Sequence, residues 1–483
     1  VHFITASQDE LSVDDFVKCQ SEGAILVVST LDRKFLISFG SGHHKIKKEN
    51  IERDFGLRVT INSVDPNKLR SLDKSNYQDT PLNTRSQSSK EVDILSLNID
   101  SELEILATLT GKCNDPIFGD VITGRDNLNI IVSDSLFNLA DILAQALNKY
   151  KKPLPLDFQW IDNIGKVKDS TLCAVLDSEL DSRLELNDSQ DILWLGEPEI
   201  IDWESQTGYA FELYQNAPLY PTLSLDGLKK HLHKHGVEFN CDEIKKQKVH
   251  IINDNEKSHK SWSAYLCLYA EIILGNEQYI LRNGVWYQIS SDFEKYINRS
   301  LSEIKHYESK LPTYNHDRED EYNSYVASHL NNIHLLDKGL IHHGGKSSKF
   351  EFADLVINKK DLIHVKYYRS SSTLSHLFSQ GLVSAELFVS DKEFRRKLNV
   401  KLPDDIKLKN TELRPQASDY TIIYAIATNK EIPQRLPFFS KITLKNTIKS
   451  LHTLGFNVKL LKIDVDPLLE IKKNGKRGKS KRL

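Results

Sequence analysis

What this chain lacks narrows it first. Methionine is absent altogether, which is odd in a chain of 483 residues. The five cysteines (Cys19, Cys113, Cys173, Cys241, Cys267) are odd in number, widely scattered and never in a CxxC pair. That spacing argues against a disulfide framework or a zinc knuckle and for reduced thiols. No apolar run approaches the roughly 18 residues of a membrane span. The opening VHFITASQDE lacks the basic-then-apolar pattern of a secretory signal. A cytoplasmic protein with no membrane partner is the expectation. Neither a Walker lysine nor a dinucleotide fingerprint occurs, and Gly40-x-Gly42 lacks the downstream residues of a phosphate loop.

What is present is the composition of a globular protein, 39% apolar and 27% charged. Its length predicts two or three domains. The net charge of −3 hides an asymmetry. From Leu311 onward there are 30 Lys and Arg against 19 Asp and Glu; the totals of 64 and 67 leave 34 against 48 before it. A basic C-terminal portion on an acidic body points to a polyanion partner, or else to plain uneven surface charge.

The fold class expected is α/β (α+β overall) and multi-domain. Residues 1–150 read as a mixed α/β domain, with AILVVST and FLISFG as adjacent strands and SLFNLADILAQALNKY as an amphipathic helix. The polar stretch 68–91 reads as a long exposed loop, and KKPLPLD as a linker. Residues 158–310 read as a strand-rich middle domain, with a hairpin turning at Asn283-Gly284 and a helix in SLDGLKKHLHKHG. Residues 311–470 read as helix, three strands, helix, strand, ahead of a basic disordered tail at 471–483.

The chemistry concentrates at 350–388, FEFADLVINKKDLIHVKYYRSSSTLSHLFSQGLVSAELF. Asp354 precedes a His364-Val365-Lys366 step by ten residues, on what reads as the next strand. A carboxylate followed by ligand-x-lysine is how a metal-dependent nuclease site is often built. Hydrolysing a phosphodiester requires a cation against the non-bridging oxygen and a more acidic water. Asp354 and Glu321 offer hard oxygens for it. Lys366 would orient the water, and His364 would tilt the site toward manganese. Each residue also has an ordinary reading: an Asp354–Lys366 salt bridge, Glu321 as a helix cap (with Glu319 or Asp320 equally placed), His364 in the core, Gln380 on the surface. Ser371, Ser372 and His376 at the next helix start, with Arg369 before it, read as a cap or as phosphate contacts.

This order of elements and residues resembles the PD-(D/E)xK nuclease core. The resemblance implies a C-terminal restriction-endonuclease-like mixed sheet flanked by helices. Glu321, Asp354, Lys366 and Gln380 would then hold the catalytic positions, with Mg2+ or Mn2+ as cofactor. His364 departs from it, standing where that superfamily has an acid. FLISFGSGHHKI, IERDFGLRVTIN, FQWIDNI, EDEYN, the segment around His364 and LPFFSKITL also resemble a sporadically distributed, poorly characterised bacterial family associated with defence islands and mobile elements. That likeness implies a role in defence against foreign DNA. The expected function is thus a metal-dependent nuclease cutting DNA, acting either alone or with a partner protein encoded nearby. The alternatives are a catalytically inactive protein binding nucleic acid or a partner, and an RNA-directed, toxin-like nuclease.

Overall fold

Asn283 and Gly284 both adopt positive φ, 49° and 69°, in the computed structural model of the chain. That is the backbone a two-residue reversing turn demands. The structure describes residues 22–47, 51–76, 82–131, 138–185, 193–198, 206–213, 217–253, 258–336, 341–342, 349–368 and 371–469. The tail at 471–483 lies outside them, as do Cys19, Arg369 and the side chains of Ser371 and Ser372.

The chain divides into two compact units. The first comprises Val1–Lys74, Arg85–Ile99 and Leu106–Gln159. Its expected strand pair is present, with β1 (Gly23–Thr30) antiparallel to β2 (Arg33–Gly40). After α1 (Phe55–Ile61) comes a five-stranded sheet of β3 (Val64–Asn76), β4 (Asn83–Val92), β5 (Glu104–Cys113), β6 (Val121–Gly124) and β7 (Leu128–Ile130), in the order β4-β3-β5-β6-β7. α2 (Leu139–Lys151) is the helix expected from its apolar spacing. The stretch 68–91 is not a loop: most of it lies in β3 and β4. Its polar residues suit a strand pair with exposed positions, and Arg85 grips Asp73 from β4 to β3 through two bonds of 2.6 and 2.9 Å.

The second unit comprises Ser75–Thr84, Asp100–Ile105 and the chain from Trp160 on. It begins with β8 (Ile164–Lys166), α3 (Ser170–Glu185), β9 (Leu193–Leu195), β10 (Gln206–Ala210), α4 (Leu225–Lys234), α5 (Cys241–Lys246), β11 (Lys248–Asn253) and β12 (Ser258–Ser263). Strands β13 (Leu268–Leu274), β14 (Glu277–Arg282) and β15 (Val285–Ile289) follow. These make two antiparallel sheets, β10-β11-β12 and β8-β15-β14-β13-β9. Next come α6 (Ser291–Ser302), β16 (Lys305–His306), α7 (Glu319–His329), β17 (Ile333–Leu335), β18 (Ile341–His342) and β19 (Lys349–Phe350). Then β20 (Leu355–Ile357), β21 (Asp361–Tyr367), α8 (Ser371–Ser390), α9 (Lys392–Lys401), β22 (Thr421–Ala427), α10 (Phe438–Leu454) and β23 (Asn457–Ile463) complete the unit.

Six of these strands form a mixed sheet, β16-β23-β22-β21-β20-β17. β21, β22 and β23 run parallel, and β20 is antiparallel to both its neighbours. Alternation on β22 shows why the centre is stable. Ile422, Tyr424 and Ile426 join one buried cluster with α8 and α10, while Ile423, Ala425 and Ala427 join another with Tyr322 and Val326 of α7. The stretches 158–310 and 311–470 share the first of these cores, since Ile280, Ile289, Phe293, Ile297 and Leu301 pack into it. Among the described residues no helix is long and apolar enough to cross a membrane.

Candidate active site at the open edge of β21

The turn from β20 into β21 uses Asn358 and Lys359, both at positive φ (51° and 67°). It fixes a register in which Leu355 faces Ile363 and Ile357 faces Asp361. β20 is short, so beyond Ile363 the N–H groups of Val365 and Tyr367 on that side of β21 meet no strand. Two carboxylates take them instead. Asp354 Oδ2 accepts from Val365 N at 2.6 Å, and Glu319 Oε1 accepts from Tyr367 N at 3.2 Å. Same-side N–H groups on a strand are two residues apart, about 7 Å. The two acids therefore stand side by side along one edge.

Lys366 completes the group. Its Nζ donates to Glu319 Oε2 at 2.7 Å. The two side chains are 24% and 28% exposed, so solvent reaches them. The cluster sits at the C-terminal end of a parallel strand and at the N-terminus of α7, the end of an open α/β sheet where ligands commonly bind.

Two expected ligands are not here. Glu321 is exposed on α7, while Asp320 is bound to Arg318 at 3.0 and 2.9 Å. His364 is buried, its ring 6.1 Å from that of Tyr424, and among the described residues its Nε2 meets no hydrogen-bond partner. The reason is position along the strand. Leu362, His364 and Lys366 leave β21 on one face; α8 and α10 cover it at His364, whereas Lys366 stands at the strand's end and reaches Glu319 at the sheet edge. Burial alone pushes the imidazole down to about 4, so it is neutral. Gln380 is half-buried on α8 and takes no part in the hydrogen bonds of this edge; His376 is exposed. Ser371 and Ser372 lie at the start of α8, their side chains and Arg369 outside the described residues.

A family model described as a family of unknown function (DUF6119) matches residues 2–464. The chain belongs to that family. No curated protein and no solved structure matches it. In this DUF6119 chain the acid that sequence reasoning passed over is Glu319. A signal for it existed: Glu319, Tyr322 and Val326 recur at i, i+3 and i+7, so Glu319 shares the inward face of α7. Glu321 does not share that spacing.

Away from this edge, one group among the described residues brings three potential metal ligands within 4.8 Å of one another: Glu212, His231 and His235. It belongs to α4 and the segment after β10.

Proposed function

We propose that this protein is a nuclease in which Glu319, Asp354 and Lys366 hydrolyse phosphodiester bonds, with DNA as the first substrate to test. The observation that carries the reading is the lysine ammonium held 2.7 Å from one carboxylate, with a second carboxylate on the neighbouring N–H of the same open strand edge. A divalent cation fits the donor set: Asp354 and Glu319 offer the hard oxygens Mg2+ prefers, and Glu319 already accepts a cationic head group. With His364 in the core, the argument for a manganese preference falls away, although Mn2+ remains compatible with oxygen ligands. Such an ion supplies charge neutralisation and a more acidic water.

The chain's own residues do the rest. Val365 N–H fixes Asp354 against the strand, and Glu319 holds Lys366 at the edge. The Lys366 ammonium orients the attacking water and offsets charge growing on the phosphoryl oxygens. The water oxygen bonds to phosphorus and releases a proton to solvent as the ester P–O bond breaks, and the departing oxygen takes a proton from solvent. The role in defence against foreign DNA rests on the family resemblance alone.

The test incubates plasmid DNA and RNA with the protein in magnesium, manganese or chelator, beside Lys366→Ala. The expectation is metal-dependent cutting that falls at least about 100-fold in the variant. The variant should stay folded while losing about 1.5–3 kcal/mol, the cost of a charge-assisted hydrogen bond between partly buried groups. Equal cutting by both proteins would refute the assignment. One observation favours a second reading: His364 occupies the third acid position and is buried. A non-catalytic nucleic-acid-binding protein would show salt-sensitive binding without cutting in any metal.

A further inference from the structure

Away from that edge, α4 carries an unused constellation. Ser224 caps the helix, accepting from Gly227 N at 3.1 Å, and Leu225, Leu228 and Leu232 bury its inner face. His231 and His235 stand four residues apart at its C-terminal end, rings 4.8 Å apart, one above the other on the same side. Glu212, two residues past the end of β10, places Oε1 3.2 Å from His235 Nε2. The ligand atoms of all three lie within 4.8 Å of one another.

We propose that Glu212, His231 and His235 bind one Zn2+ ion per chain, tying the end of α4 to the segment that leaves β10. Two imidazoles and one carboxylate are a donor set that zinc accepts, with water in the remaining position. Zinc–nitrogen bonds are about 2.0–2.1 Å, so the ligands must draw in slightly. His235 and Glu212, with side chains 40% and 26% exposed, are free enough to do so. His231 is the anchored member. It is buried against Phe211, with ring centroids 5.3 Å apart. Gln247 donates to the Phe211 carbonyl at 2.8 Å. The carbonyl end of α4 also favours a cation there. A simple Glu212–His235 ion pair accounts for two of these residues, and packing on Phe211 accounts for the burial of His231, but neither accounts for the ligand atoms of all three lying within 4.8 Å of one another.

The experiment uses the full chain, free of any histidine tag, stripped with chelator and reloaded with zinc in excess magnesium. The magnesium keeps the carboxylates near Lys366 from competing. Bound zinc is measured after gel filtration, and Co2+ substitution reads the ligand field by visible absorption. Glu212→Gln and His235→Ala are the working variants, since both positions face solvent and leave the core intact. The expected result is one zinc fewer per chain in each variant. Affinity should weaken at least about tenfold, and the zinc-induced rise in Tm should be lost. Equal zinc content and an unchanged cobalt spectrum in both variants would overturn the proposal and assign any bound metal to other surface groups.

Discussion

Glu319 and Glu321 are two residues apart on one helix, yet only Glu319 reaches Lys366. Glu319→Gln should therefore lower single-turnover cleavage at least about 100-fold, while Glu321→Gln stays within about twofold. The reverse ranking would mean that the edge of β21 is not the reacting centre. His364 makes a different prediction, about stability. Its imidazole is pushed to about 4 by burial, whereas in the unfolded chain it titrates near 6.5. Its contribution is thus fully present above about pH 6.5 and is lost as pH falls toward 4, because only the unfolded state takes up the proton. The full loss is about 3 kcal/mol. Urea unfolding at pH 7, 6, 5 and 4 should show a shallower decline in His364→Leu than in wild type. Identical slopes would place the titrating group elsewhere. Which carboxylate and which strand face carry the site was only half legible beforehand. Asp354 and Lys366 follow from their spacing, but the choice among three first-turn acids depends on helix phase. The fate of His364 depends on α8 and α10 covering its face, a contact that residues 354–366 do not encode.

At the level of elements, local signals were strong where they were chemically specific. Asn283-Gly284 and the alternating apolar runs of β21 to β23 are read directly from residue types. The stretch 68–91 was misread because polar composition looks the same in a solvated strand pair and in a loop. How α8 seats on the sheet is a packing matter that no periodicity reveals. It turns on Gly381, where an added Cβ would lie 2.6 Å from Tyr424 Oη and 2.7 Å from its ring. Tyr424 is wholly buried and donates to the Phe378 carbonyl at 3.0 Å, so its ring has no room to swing away. Gly381→Ala should cost about 1–3 kcal/mol through overpacking, read as a lower urea midpoint. Tyr424→Phe in the same chain should recover only part of it, since the ring contact persists. An alanine variant as stable as wild type would mean that α8 can shift on β22.

Across the whole molecule the charge pattern becomes a statement about binding. Seven of the twelve residues at 472–483 are Lys or Arg, and they supply much of the C-terminal surplus. If that segment lies along phosphates, each contact releases condensed counterions, and the logarithm of affinity falls with the logarithm of salt by about 0.9 per neutralised phosphate on duplex DNA. Deleting 472–483 should then reduce that slope by up to about 6, measured by fluorescence anisotropy from 50 to 300 mM salt on matched DNA and RNA. The proposed cleavage edge is built from Asp354 just before β20, from β21 and from α7, outside the deleted segment. Cutting at saturating DNA should therefore persist in the truncated chain while affinity drops. An unchanged slope would show that the surplus is ordinary surface charge, and would shift the search for the nucleic-acid contact to the other lysines and arginines of the second unit. A loss of cutting at saturation, with the slope reduced, would instead mean that these residues help place the phosphodiester at Lys366, a positioning role reached through charge rather than through the fold.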